Sequence, residues 1–107
     1  MATFMFKANY SHEGLQGLVS EGAAVRSAAI EQLVTSLGGN LVSLYWALGE
    51  TDAYVVVDGI DDESATAAAL TVGSSGGLSS LATVKLLTSA EVDAAIAKSP
   101  AYRPPGR

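Results

Sequence analysis

His12 is the only histidine in the chain. Imidazole changes charge near neutral pH, so His12 is the candidate catalytic general base. It could also serve as a single axial ligand to haem. Asp52 closes the segment 49–52 (GETD) two residues after Glu50. Two carboxylates on one turn can approach a common site, with Asp52 as a base or a ligand contact. Tyr10, Tyr45, Trp46 and Tyr54 stand on or beside β-rich runs. Together they can line a pocket for a small apolar ligand, a phenol hydroxyl setting its orientation. Each of these residues also has a plain structural explanation. His12 suits an exposed first helical turn, Asp52 suits turn chemistry, and the aromatics suit core or interface packing. Tyr45 and Trp46 are adjacent, so on a strand they face opposite sides of the sheet.

Other chemistries find little support. The chain has no cysteine, hence no disulfide, no thiolate nucleophile and no sulfur-ligated metal. One histidine does not make a zinc or non-haem iron site of the usual kind. Serines and one histidine are not a triad without shared geometry. The loop 73–77 (GSSGG) follows a helix and precedes a strand, the reverse of a phosphate-cradling order, so it reads as a connector. The acidic run 61–63 (DDE) reads as a helix start. No metal and no cofactor are expected.

These residues need elements to position them. Residues 3–8 (TFMFKA) read as a first strand. Ser11 is an N-cap for a long helical region kinked near Gly22. In its second half Val25, Ala28, Ala29, Leu33 and Leu37 form one apolar stripe, and Gly38-Gly39 ends it. Residues 41–48 and 53–60 are strands joined by the turn 49–52 as an antiparallel hairpin. The run Val55, Val56, Val57 marks a strand packed on both faces or nearly so. Residues 64–72 are helical, 81–87 form a fourth strand, and Thr88 to Glu91 make a capping box for a short last helix, 89–98. The domain spans 1–98 and the tail 99–107.

The order β-α-β-β-α-β with an extra C-terminal helix is an α+β, ferredoxin-like arrangement. Its four-stranded antiparallel sheet carries helices on one face, leaving the other to be covered. The composition agrees. It is 49% hydrophobic and only 16% charged, against about 25% charged in an average globular protein. A small domain with so few charges calls for a buried interface between subunits. The expectation is a homo-oligomer, a dimeric α/β barrel or a multiple of it. The net charge of −5 and the scattered basic residues argue against nucleic acid and anionic membranes as partners. No apolar run approaches the ~18 residues of a membrane span and the first residues lack a leader pattern. The expected location is cytoplasmic.

Tyr10 with Gly14, Gly38-Gly39, Tyr45 with Gly49, Asp52, and Asp61-Asp62 resemble the motif positions of the GYD-domain family of small bacterial and archaeal proteins. The resemblance covers roughly residues 3 to 98. It departs at the namesake tyrosine, which is Thr51 here; a hydroxyl needed there would have to come from Tyr54. The resemblance implies the ferredoxin-like fold and the dimeric barrel. It implies no reaction. Cofactor-free oxygenases and haem-handling enzymes share such barrels, but fold alone transfers no function. The expected function is an oligomeric barrel domain with a small apolar ligand between its sheets. The alternative is a cofactor-free enzyme, oxygenase- or isomerase-like, acting on a small aromatic substrate with His12 as base.

Overall fold

The computed structural model describes residues 2–107. Along the chain run β1 (Ala2–Tyr10), α1 (His12–Glu21), α2 (Ala23–Ser36), β2 (Asn40–Trp46), β3 (Ala53–Ile60), α3 (Asp62–Gly73), β4 (Leu78–Leu86) and α4 (Ser89–Lys98). The strands form one sheet in the order β2-β3-β1-β4, and every neighbouring pair is antiparallel. This is the α+β, ferredoxin-like arrangement expected from the element order.

Alternation along the strands sorts the side chains by face. Phe4, Ala8, Ala53, Val55 and Val57 are buried on the helix side. With Val34 of α2, Ile60 and Ala65 of α3, they make the core. The intervening residues face the other way. Tyr45 pairs with Tyr54, Tyr54 with Lys7, and Lys7 with Ala82. One row along, Ser43, Val56, Met5 and Val84 align in the same manner. This second face carries no helix of its own chain, and Tyr45 on it is 71% exposed.

The helical region divides at Gly22 rather than kinking there. Gly22 has φ 91° and ψ 156°, a conformation that glycine adopts without the strain of a side chain. It closes α1 and opens α2. The inner stripe of α2 keeps Ala29, Leu33 and Leu37 of the expected one and loses Val25 and Ala28, which are exposed. Arg26, Ile30 and Val34 complete it. The strand limits move as well: β1 runs on to Tyr10 and β4 starts at Leu78, because Asn9 pairs with Ser80 and Tyr10 with Leu78. Polar Ser79 and Ser80 gave no β-propensity signal; neighbouring backbone recruits them.

Two further contacts lock the site region. Gly14 approaches the loop before β4 so closely that a Cβ would run into the carbonyl of Gly77. Ser11 holds the same loop, its amide donating to Gly77 O at 3.0 Å and its hydroxyl to Gly76 O at 2.7 Å. The glycine-rich segment is thus a latch on the start of α1.

A cavity beneath the first two helices

Helix α1 faces the sheet with little side chain. Gly14, Gly17, Leu18 and Glu21 recur at helical spacing on its inner side, and a Cβ on Gly17 would meet no atom within 4 Å. Space remains where a larger residue would ordinarily pack. The result is a partly open cavity of about 450 Å³ bounded by α1, α2, α3 and the helix face of the sheet. Its walls are Phe6, Ile30, Leu33, Val55 and Leu81 among other apolar groups. A shallower depression of about 390 Å³ lies between α3 and β4, beside the Lys85–Asp62 ion pair of 2.9 Å.

Besides the hydroxyls of Thr71 and Ser75, three ionisable side chains enter the cavity wall: Tyr10 ends β1, Glu21 ends α1 and Arg26 lies in the first turns of α2. The break at Gly22 brings the latter two together, with Arg26 Nε 3.4 Å from Glu21 Oε1. That contact is an ion pair only; Arg26 Nε is buried and has no hydrogen-bond partner. Buried donors are normally satisfied, so this nitrogen marks a place where an acceptor would be welcome. Burial pushes the Tyr10 phenol above its ordinary value of 10.0; the Arg26 guanidinium pulls it down, while Asp52 and Glu21 push it further up. The phenol is therefore neutral at physiological pH and available as a hydrogen-bond donor.

Tyr10 is fixed from two sides. Its ring stacks on Trp46, with centroids 6.0 Å apart and planes 24° apart. Its backbone amide donates to Asp52 Oδ2 at 2.9 Å. The Asp52 amide in turn donates to Asn9 Oδ1 at 2.9 Å and to Ala8 O at 3.1 Å. Asp52 thus ties the β2–β3 connection to the end of β1.

The residues singled out by type therefore part company. Tyr10, Trp46 and Asp52 gather at one end of the sheet, and of these Tyr10 lines the cavity. Tyr45 and Tyr54 form a pair on the opposite face. His12, the first residue of α1, is exposed and does not line the cavity. Glu50 is exposed in the hairpin connection. Among the described residues no three His, Asp or Glu side chains converge as a metal would need. Arg26, Glu21 and Gly17 were not singled out by residue type. Helical spacing carried the missing signal: 26, 29, 30, 33, 34 and 37 form the inner stripe of α2, and Arg26 sits at its open end.

No curated protein matches the chain. The family model described as the GYD domain matches residues 4–96, and this span contains the whole sheet except the first two residues of β1. On that match, extending over most of its length, the chain belongs to the GYD-domain family.

Proposed function

We propose that this chain is a small-molecule-binding domain whose ligand occupies the cavity under α1 and α2, and that it works as a homo-oligomer. The observation carrying the ligand reading is an apolar cavity of about 450 Å³ lined in part by Arg26, whose Nε is ion-paired with Glu21 but makes no hydrogen bond. Ligand sites commonly enclose roughly 300–1,000 Å³ and combine apolar walls with a few placed polar groups. The ligand has an apolar body, held by Phe6, Ile30, Leu33 and Val55. It carries an acceptor oxygen, best a carboxylate, at the Tyr10–Arg26 end, because the guanidinium fork suits a carboxylate. The site lies within one subunit, on the helix side of the sheet, and not between two sheets. His12 supplies no base to it, so binding is a better account of this site than a His12-dependent reaction.

The oligomer reading rests on the helix-free face. Val42, Tyr45 and Val84 are exposed there at 55%, 71% and 38%, and the face-to-face pairing of two such sheets would cover them. That pairing produces the dimeric α/β barrel.

The ligand test uses 1-naphthoate and 1-naphthalenemethanol as matched probes, titrated against backbone amide resonances. Naphthoate should shift amides on the inner sides of α1 and α2. Arg26→Met should weaken naphthoate by about tenfold or more, as expected for losing a hydrogen bond to a charged group, and leave the alcohol nearly unchanged. Gly17→Leu, whose Cβ would meet no atom within 4 Å and whose side chain would occupy the space, should block both. Undiminished binding of both probes to Gly17→Leu would sink the cavity as the site.

A further inference from the structure

Helix α4 is a complete helix with nothing to lean on. Its N-terminus carries a full capping box, Thr88 with Glu91, and its C-terminus closes through Ser99 at φ 44°. Yet none of its residues is buried, and every residue from 87 to 103 is exposed. Isolated helices shorter than about 12–15 residues are marginal in water, and α4 has 10 residues. Leu87, Ile96 and Tyr102 stand exposed at 60%, 69% and 79%, with Val92 at 42%. The chain as a whole is drawn out to match. Its radius of gyration is 17.0 Å and its extents are 57 × 34 × 23 Å, whereas a compact chain of this length has a radius near 13 Å.

Charge indicates what such an arm seeks. Lys98, Arg103 and Arg107 give residues 98–107 a formal charge of +3. Glu91 and Asp93 lie on α4, so the whole arm, residues 88–107, totals +1, while residues 1–87 hold the other 3 basic residues and 9 acidic ones, a formal charge of −6. The basic segment is carried on an arm that packs on none of its own acidic body. An identical chain presents an acidic body together with exposed apolar groups on its helix-free sheet face, Val42, Tyr45 and Val84, for the apolar side chains of the arm. Opposite charges at such a contact guide encounter and fix register.

We propose that α4 and the tail form an exchanged arm, docking Leu87, Val92, Ile96 and Tyr102 on a second copy of this chain. This inference rests on the homo-oligomer reading above. Within the pair each arm reaches the other subunit, an isologous exchange consistent with two-fold symmetry. The arm is then ordered by its neighbour, and the ten-residue helix is stable only in the oligomer.

The full chain tests this directly, since the absence of native cysteine allows one label. Ala97→Cys carrying a nitroxide is mixed with unlabelled-spin, nitrogen-15 chain, and the sedimentation mass is measured on the same mixture. The expected result is a dimer or larger mass, with selective broadening of body amides in the nitrogen-15 chain. Val92→Asp with Ile96→Asp should remove that broadening and weaken association by tenfold or more, leaving the body resonances of a folded domain. A dimer without intermolecular broadening, or one unaffected by the double substitution, overturns the exchanged arm and spares the oligomer. A monomer at every concentration overturns both.

Discussion

Gly17 has no side chain at a position where a helix facing a sheet ordinarily carries a large apolar one. Its neighbour in space, Gly14, lacks one for a different reason, the close passage of the Gly77 carbonyl. The two glycines therefore respond oppositely to substitution. Gly17→Ala should raise stability by up to about 1 kcal/mol through helix propensity alone, read as a higher thermal midpoint. Gly14→Ala must displace backbone and should lower stability by about 1–3 kcal/mol. Equal effects at the two sites, measured by denaturant unfolding, would contradict the close approach. Tyr10 adds a pH dependence. Its folded-state value is raised above 10.0, chiefly by burial, so the protonated phenol is favoured in the fold. The associated stability is present below pH 10 and is lost as pH rises through the folded value. Unfolding free energy should fall in that alkaline window, and Tyr10→Phe should flatten the fall.

Among the elements, helix starts were the most legible. Ser11, Asp61 and Thr88 each cap the amide three residues on, at 3.1, 2.8 and 3.2 Å. These bonds are local, so a few consecutive residues specify them. Hydrogen bonding to the Ser64 amide also holds the Asp61 carboxyl below its ordinary value. Its contribution is present above the unfolded value and is lost as pH falls through the lowered one. Asp61→Ala should lower the thermal midpoint at neutral pH by removing the cap, and the difference from the parent should shrink on acidification below about pH 4. An undiminished loss at pH 2 would show that the carboxylate is not the cap. The strand ends and the inner stripe of α2 were less legible. Tyr10 and Ser80 join the sheet because each finds a neighbouring strand. Counting apolar residues placed Ala29, Leu33 and Leu37 correctly and Val25 and Ala28 wrongly, because Arg26 takes the inner position at the start of α2, its charged head near Glu21.

At the scale of the molecule, one sheet face is covered and the other is not. The covered face is incompletely filled, and the cavity is the consequence of two glycine-bearing turns of α1 meeting small residues such as Ala8, Ala29, Ala53 and Ala68. The uncovered face calls for a partner. Val84→Asp puts a charge into the Ser43–Val56–Met5–Val84 row. It should reduce self-association by tenfold or more by sedimentation while the isolated domain stays folded. Unchanged association would place the interface elsewhere. No helix among the described residues is long and apolar enough to cross a membrane.

Residue order alone determined the order of strands and helical regions, the caps, the hairpin and the antiparallel four-stranded plan, because periodicity and capping are written in neighbouring residues; the division of the first helical region into two helices at Gly22 was not among them. It also determined that Tyr45 and Trp46 oppose each other, through the two-residue period of a strand. Which of them faces the helices was decided by the pairing of Trp46 with Ala53 and of Tyr45 with Tyr54, since a shift of one residue would exchange them. The site was likewise a tertiary outcome. Tyr10, Glu21 and Arg26 have no shared motif; the break at Gly22, the end of β1 and the inner face of α2 place them around one cavity. His12, the most reactive residue by type, remains outside it because α1 begins there and turns that residue toward solvent.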